Sequence, residues 1–342
     1  MKILFVRNGQ SYPELSAGTE LTMHGLAVRL SRDGHLVGVA ARTPGRKSIT
    51  TDDGYLTVRS SSLREAVMKA IELAAPDAIV VMQAGDWLAD LEPLIGHKPL
   101  VIYEHDCMLN LIKAPPAIIT RSTYIANSKT TAAHILKTIG KPSTVVPPIF
   151  GIEQYTSTKS AGDEILFASL SVRKGGKIAV ALAQNRQEHR FLFIESWNSE
   201  EAIIEAARQL KNVDILPNQR DLLHIFPRIR LLLMPGINRE SWGRTATEAQ
   251  VCGIPVLASN RGNLPDTIGE GGITLDPTLD ISHWLASFDE LLSENHARYA
   301  SRAAHRGAQL LDDIPRLYEK FVRQLAHSID ITRELRLRSL VR

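Results

Sequence analysis

The feature that most constrains the fold is an alternation of short apolar runs with helical patterns, which occurs twice along the chain. Runs such as 3–6 and 78–82 are apolar throughout and end near turn residues, which is typical of strands buried on both faces of a parallel sheet. Helical patterns such as 20–31 and 129–139 lie between these runs. The alternation predicts an α/β fold built on parallel sheets.

The alternation is interrupted once. Paired prolines within 144–150 and a polar stretch at 153–164 indicate a linker. Since 342 residues exceed what one core usually serves, we predict two Rossmann-like, doubly wound parallel-sheet domains, at 1–150 and 160–312, facing a central cleft. In the first half the predicted strands are 3–6, 36–40, 78–82, 100–103, 117–120 and 124–127, with helices near 20–31, 63–73 and 129–139. In the second half they are 164–168, 191–194, 213–216, 230–234 and 255–259, with helices at 176–184, 200–210, 221–226 and 244–252 and from 281 onward.

Composition narrows the class of protein. With 44% hydrophobic and 23% charged residues and a formal charge of +3, the chain is typical of a soluble globular protein and gives no argument for a nucleic-acid partner. Its two cysteines, Cys107 and Cys252, are too few and too far apart for a disulfide framework or a zinc site, so we expect a cytoplasmic protein. The apolar start breaks at Arg7 and is too short for a signal peptide, and no apolar run approaches the length of a membrane span.

The segment 234–262 has the pattern with the clearest chemistry. It is predicted to form a strand, a loop, a short helix and a second strand, with Glu240 on the loop and Glu248 about one turn into the helix. The first amides of that helix, at 243–245, can bind an anion such as a diphosphate. Glu248 can accept both hydroxyls of a ribose, and Glu240 can reach a sugar lying across the phosphates. Taken singly, each glutamate is also explained as a surface charge at a helix start, where acids are favoured.

Taken together, these residues resemble a known family. Glu240 and Glu248, with seven residues between them, followed by Gly253-Ile-Pro-Val and Ser259-Asn-Arg-Gly262, resemble the E-x7-E signature of retaining GT-B glycosyltransferases of the family 4, or group 1, type. The likeness continues through Leu264-Pro-Asp266 and Gly271-Gly272.

Segments elsewhere resemble other motifs of this family. Ala17-Gly18-Thr-Glu20 is similar to its G-G-x-E loop, in which Gly18 would let the backbone approach the donor phosphates. Glu104-His105-Asp106 is similar to its H-D at a strand end, where His105 would contact the donor sugar or stabilise developing positive charge. The simpler reading of His105 is a partly buried histidine paired with Asp106.

The turn Arg173-Lys174-Gly-Gly would supply cations to the diphosphate, and a solvated basic turn is the alternative. The chain also departs from the family. Ser169 stands where the family carries an arginine. Either Arg173 supplies the missing positive charge, or the diphosphate is bound more weakly than is usual in the family. Residues 193–197 replace a glycine-rich strand end, and Asn263 replaces a glycine.

The resemblance implies a retaining, metal-independent glycosyltransferase that moves a hexose-type sugar from a nucleoside-diphosphate sugar, UDP-sugar favoured, to a glycan or lipid-linked sugar acceptor. The expected setting is bacterial polysaccharide or cell-envelope glycan biosynthesis. No cofactor and no metal are expected. The implied catalytic residues are His105 and Glu240, and the implied donor-binding residues are Gly18, Arg173, Lys174, Trp242, Gly243, Arg244, Thr245 and Glu248. For Trp242 and Trp197, packing is the simpler role and stacking on the sugar or base is the alternative.

The family also implies that the C-terminal helix, at about 315–342, packs back onto the first domain. Because this helix is amphipathic and basic, peripheral contact with the cytoplasmic membrane face is a further hypothesis. Two other functions stay open: a non-catalytic nucleotide-sugar-binding or scaffold subunit, and a sugar-nucleotide epimerase. A dinucleotide oxidoreductase is disfavoured because no G-x-G-x-x-G follows the first strand.

Overall fold

The computed structural model describes residues 1–107, 110–156, 158 and 160–340, so Val341 and Arg342 of the predicted basic tail lie outside the described residues. The chain divides into two compact units. The first unit comprises Met1–Gly151 and Ile314–Arg342, and the second unit comprises Ile152–Asp313.

The first unit is built on one sheet. Its strands are β1 (Lys2–Arg7), β2 (Leu36–Arg42), β3 (Ser48–Asp52), β4 (Tyr55–Ser60), β5 (Ala78–Met82), β6 (Leu100–Glu104), β7 (Thr123–Ala126) and β8 (Thr144–Val145). Its helices are α1 (Gly18–Arg32), α2 (Leu63–Ala74), α3 (Leu88–Ile95), α4 (Pro116–Arg121), α5 (Lys129–Ile139) and α12 (Ile314–Leu340). The strand order is β3-β4-β2-β1-β5-β6-β7-β8, and the described pairings are parallel except that of β3 with β4.

Helices cover both faces of this sheet, which explains why β1 is apolar throughout rather than alternating. Successive side chains of a strand point to opposite faces. Leu4 and Val6 belong to the same buried cluster as Val67 of α2, whereas the ring of Phe5 stacks on Phe321 of α12 with centroids 6.3 Å apart. Both faces of β1 are therefore buried.

The second unit has a fully parallel sheet with the order β11-β10-β9-β12-β13-β14. Its strands are β9 (Glu164–Ala168), β10 (Phe191–Ile194), β11 (Val213–Leu216), β12 (Ile229–Met234), β13 (Val256–Ser259) and β14 (Gly272–Leu275). Its helices are α6 (Gly176–Asn185), α7 (Glu201–Arg208), α8 (Arg244–Val251), α9 (Leu264–Ile268), α10 (Ile281–Leu292) and α11 (His296–Asp312). Leu166 packs in a cluster with Ala246 of α8, and Phe167 packs in another with Trp284 of α10, so helices flank both faces.

Each sheet reverses its winding direction once. The chain winds outward from β1 to β2 and β4, then starts again on the other side at β5; in the second unit it turns from β9 to β12 in the same way. In open α/β sheets the crevice at the carboxyl ends of such neighbouring strands is the usual ligand site. Ligand sites are therefore expected in the loops after β1 and β5 and in those after β9 and β12. The prediction of an α/β fold with two doubly wound parallel sheets is confirmed.

Two predicted elements are wrong. The strand predicted at 117–120 is helix α4, which begins at Pro116. Proline at the first helical position is favoured because its missing N–H has no partner there anyway. The helix predicted at 221–226 is instead a turn followed by a short 3-10 helix at Phe226–Arg228. Asp53-Gly54, with both residues at positive φ, forms the turn of the β3–β4 hairpin; that Asp-Gly signal was present in the sequence and was missed.

The described helices include none that is both long and apolar enough to cross a membrane.

Candidate functional site

The loops that follow β9 and β12 are hydrogen-bonded to each other. The carbonyl oxygen of Arg173 accepts from the backbone N–H of Ile237 at 3.1 Å. When the Asn238 carboxamide is oriented to match its neighbours, its oxygen accepts from Nε and Nη2 of Arg173 at 2.7 and 2.8 Å. Gly175 has φ +87, and a Cβ there would lie 2.3 Å from the carbonyl oxygen of Pro235, so the two loops can meet only at a glycine.

Lys174 and Glu240 form the central ion pair of this site. The Lys174 Nζ lies 2.7 Å from Oε2 of Glu240, and the two side chains are 43% and 27% exposed. The charge of Glu240 raises the pKa of Lys174 above its ordinary value, so the ammonium stays protonated. The carboxylate predicted to contact a sugar and the cation predicted to contact a phosphate thus lie side by side, and both are partly exposed.

The backbone of Glu240 is fixed by a second close approach. Gly262, at φ +70, pairs with Glu240 as an isolated parallel bridge, and a Cβ on Gly262 would lie 2.0 Å from the Glu240 carbonyl oxygen. That same oxygen accepts from the backbone N–H of Asn263 at 2.8 Å. The glycine that the family pattern carries at 262 is therefore required by contact with the loop that holds Glu240.

Trp242 and Gly243 lie beneath the loop. The indole of Trp242 is 9% exposed, and its Nε1 donates to Oγ1 of Thr247 at 3.0 Å. Its carbonyl oxygen accepts from Oγ1 of Thr267 at 2.6 Å. Gly243, at φ +96, precedes the first turn of α8, which contains Arg244 and the half-buried Thr245. Trp242 supports the loop by packing, and its role in donor binding stays a prediction.

Glu248 is almost fully enclosed. Its side chain is 1% exposed, and Nη1 of Arg244, four residues earlier on α8, lies 3.2 Å from Oε1. Burial raises the pKa of Glu248, and the charge of Arg244 opposes this rise. A ligand that donated hydroxyl groups to this carboxyl would offset the desolvation of its charged form.

Ser169, which replaces the family's arginine, is engaged with the loop after β10. Its Oγ donates to Oδ1 of Asn198 at 3.0 Å and lies 2.9 Å from Oγ of Ser196. Ser169 also has φ +78, an uncommon conformation for a residue other than glycine. The position is thus used for anchoring a neighbouring loop.

His105 and Gly18 belong to the first unit. His105 is 8% exposed, and its ring lies against Tyr103 with centroids 4.1 Å apart. Burial, assisted by the charge of Arg7, lowers its pKa to about 3, so the imidazole is neutral at ordinary pH. Asn127 Nδ2 donates to its carbonyl oxygen at 3.4 Å. Gly18 is the exposed first residue of α1, and a Cβ there would meet no atom within 4 Å.

A polar cavity of about 300 Å³ opens at the carboxyl ends of β1, β5 and β6. Its lining includes Arg7, Gln83, Trp87, Asp106 and Lys113. Arg7 donates from Nε to Glu20 at 2.8 Å and from Nη1 to Gln83 at 2.7 Å. A second cavity, of about 220 Å³, shares Asn8 and Trp87 with the first.

Sequence reasoning missed Arg7, Gln83, Glu104 and Asn238. Arg7 and Gln83 are 76 positions apart, and only the pairing of β1 with β5 brings them together. The sequence did contain a signal for these two residues, because each directly follows a predicted strand. Within the described residues, no group of three or more His, Cys, Asp or Glu side chains is arranged to hold a metal ion.

The second unit of the chain matches a known protein family. Residues 169–307 match the family model described as "Glycosyl transferases group 1". The chain is 39% identical over 88 residues to D-inositol 3-phosphate glycosyltransferase of Mycobacterium marinum, covering 25% of this chain and 19% of that protein. For the enzyme of the same name from Mycobacterium leprae strain TN the identity is 34% over 137 residues, covering 38% and 32%. The chain therefore spans a third or less of these relatives' length.

Solved structures resemble nearly the whole chain. HepE of Anabaena, in complex with UDP and glucose, matches with a TM-score of 0.75 at 20% identity, over 95% of this chain and 99% of that chain. WaaG, a glycosyltransferase involved in lipopolysaccharide biosynthesis, matches with a TM-score of 0.68 at 15% identity, over 93% and 98%. At these identities the likeness is one of fold. The protein has the GT-B fold, and its residues 169–307 match the family model of the group 1 glycosyl transferases.

Proposed function

We propose that the protein is a retaining, metal-independent hexosyltransferase that uses a nucleoside-diphosphate sugar, with UDP-sugar the favoured donor. The observation that carries the proposal is the Lys174–Glu240 pair, at 2.7 Å, beside the first turn of α8. It combines a cation for the diphosphate, a carboxylate for sugar hydroxyls and helix-end amides for an anion. Crystal structures of HepE, which shares this fold, contain UDP or UDP-glucose, and this supports the choice of uracil.

In this proposal each residue has a separate part. Arg173, Lys174 and the amides at Gly243, Arg244 and Thr245 bind the diphosphate, which replaces the charge that a metal would supply. Glu248 accepts from the ribose hydroxyls. Glu240 accepts from hydroxyls of the transferred sugar, Trp242 supports that loop, and Gly18 leaves room for the phosphates.

The proposed step proceeds on one face of the sugar. The bond between the anomeric carbon and the diphosphate oxygen breaks, and the acceptor oxygen bonds to the same face of that carbon. The acceptor proton passes to the departing phosphate oxygen. His105, kept neutral by burial, has no positive charge to oppose the cationic character that develops on the sugar.

The proposed acceptor is a glycan or lipid-linked sugar, in bacterial polysaccharide or cell-envelope glycan assembly at the cytoplasmic membrane face. The polar cavity at the carboxyl ends of β1, β5 and β6 supports a hydroxyl-rich acceptor, because Gln83, Asp86, Asp106 and Lys113 supply both donors and acceptors of hydrogen bonds. The involvement of WaaG in lipopolysaccharide biosynthesis supports the cell-envelope setting.

The test is thermal stabilisation of the full chain by UDP, GDP, ADP and their glucose conjugates, without added metal and with a chelator present. We expect UDP or UDP-glucose to raise the midpoint, since a ligand at a hundred times its Kd stabilises by about 2.7 kcal/mol. Glu248→Gln should remove most of that shift. Glu205→Gln, at an exposed glutamate paired with Arg208 on α7, should leave it unchanged.

If no nucleotide raises the midpoint, the scaffold function becomes the better hypothesis, and the serine at position 169, where the family carries an arginine, favours it. Stabilisation by a nucleotide sugar that is converted without any acceptor to a modified sugar would indicate an epimerase. An inverted anomeric configuration in the product would contradict retention.

A further inference from the structure

Trp197 has no packing role that accounts for it. In the loop between β10 and α7 its side chain is 82% exposed, more than any other large hydrophobic side chain in the described part of the chain. The simpler expectation for this residue, packing, is wrong. An indole ring exposed to water contributes no favourable free energy of burial. It does so only when a ligand or another side chain covers its apolar surface.

The loop that carries Trp197 is nevertheless well anchored. On one side, Ser196 and Asn198 contact the Ser169 hydroxyl at 2.9 and 3.0 Å, and the Ser196 N–H is bonded to Ser199 Oγ at 2.8 Å. On the other side, the Glu200 N–H donates to the carbonyl oxygen of Leu170 at 2.8 Å. The ring is thus presented on a fixed loop, and a ligand that stacks on it would not bear the entropic cost of ordering that loop.

The position of this loop indicates which ligand group it meets. Strand β10 lies between β9, whose loop carries Arg173 and Lys174, and β11. The loop after β11 packs against α8, the helix that carries Glu248, because Leu222 lies in the same buried cluster as Ala246 and Ala249. Trp197 therefore follows the strand between the diphosphate cations and the loop that packs against α8. A nucleoside whose phosphates are bound at Lys174 would extend along this edge.

We infer that Trp197 is a donor-binding residue that stacks on the nucleobase, and that Ser169 is a positioning residue that anchors its loop. The inference rests on the proposed function, since it assumes a nucleoside diphosphate at Lys174. Ser169 then replaces a phosphate-binding arginine with a loop anchor, and part of the affinity for the donor moves from the phosphates to the base. Stacking is tolerant of base identity because every base has an aromatic face.

The test compares UDP with inorganic pyrophosphate, which lacks a base. Isothermal titration of the full chain should show that Trp197→Ala weakens UDP binding about tenfold, whereas Trp197→Phe retains most of the affinity. Pyrophosphate binding should be the same in all three proteins. Leu279→Ala, which removes an exposed apolar side chain elsewhere in the second unit, is the matched control and should bind UDP as the wild type does.

Three outcomes would overturn the inference. Equal UDP affinities of wild type and Trp197→Ala would remove Trp197 from the donor site and leave the proposed function intact. Equal losses for UDP and pyrophosphate would mean that the substitution disturbs the phosphate loop instead. Failure of the wild type to bind any nucleoside diphosphate would refute the proposed function, and this inference with it.

Discussion

At the scale of single residues, burial shifts the pKa values of two adjacent groups of the first unit, Glu104 and His105. Glu104 is 1% exposed, and its Oε1 accepts from the Ala84 N–H at 2.8 Å. Desolvation raises its pKa from 4.5 to about 7, although the charge of Arg7 opposes the rise. The adjacent His105 is shifted the other way, to a pKa of about 3. Both shifts favour neutral side chains next to Asp106, which lines the polar cavity.

The shift of Glu104 has a measurable consequence for stability. Between the two pKa values of 4.5 and about 7 the folded chain keeps a proton that the unfolded chain has released. The free energy of unfolding therefore falls as pH rises through this range. Glu104→Gln has no proton to lose, so its free energy of unfolding relative to wild type should rise by up to about 3 kcal/mol across that interval. Urea unfolding at a series of pH values measures this difference.

Glu72→Gln, at an exposed position of the same unit, is the control for replacing any glutamate. Taking the difference between two proteins also cancels the contribution of His105, which titrates in an overlapping range. A difference between Glu104→Gln and wild type that is constant with pH would show that the carboxyl ionises as easily in the folded chain as in the unfolded one.

The sequence predicts candidate site residues that belong to a motif, but it does not predict the residues that contact and position them. Glu240 and Glu248 were found because their spacing is local, and the structure encloses one and pairs the other with Lys174. Trp197 was assigned the simpler role because composition gives no measure of exposure. The partners of Arg7 depend on strand order, which no local spacing encodes.

At the scale of elements, the site depends on loops whose backbones lie so close together that a Cβ atom would not fit between them. Predicted and observed bounds agree within a residue for the strand and helix around it: 230–234 against Ile229–Met234, and 244–252 against Arg244–Val251. Apolar runs, glycine and proline mark these elements strongly. Helix α4 was mistaken for a strand because six residues of mixed apolar character fit either period.

Gly262 tests the close approach. It has φ +70, and a Cβ there would lie 2.0 Å from the Glu240 carbonyl oxygen. Gly253 in the same unit has φ +76, but its nearest neighbour would be an ordinary 3.7 Å away. Both alanine variants bear the left-handed backbone cost of about 1–2 kcal/mol. Gly262→Ala should lose clearly more free energy of unfolding than Gly253→Ala, and it alone should lose UDP binding, as urea unfolding and titration would measure.

Because the two glycines share their backbone conformation, the difference between the variants isolates the contact with Glu240. Equal losses of stability with UDP affinity retained in both would mean that the Glu240 loop can shift without consequence, and that its fixed position is not needed for the donor.

At the scale of the whole molecule, the sequence pattern predicts a last helix but does not say where it packs. Amphipathic spacing gives α12 an apolar face; the family resemblance alone implied that this face returns to the first unit. The structure shows contacts between α12 and strands β5, β6 and β7. Phe321 is fully buried, with its ring 6.3 Å from that of Phe5 and 6.1 Å from that of Tyr103. The ring thus supports the strand that leads into His105.

Replacing one buried phenylalanine in each unit would test this division of the chain. Phe321→Ala should cost about 3–5 kcal/mol, because a ring-sized cavity opens against β1 and β6. Phe288→Ala removes an equally buried ring, stacked on Phe191 at 5.9 Å, from the second unit. Hydrogen exchange followed by mass spectrometry should show faster exchange for Phe321→Ala within 1–107, 110–151 and 314–340, and for Phe288→Ala within 160–313. If Phe321→Ala instead loosened the second unit as much as the first, α12 would have to be counted as part of both.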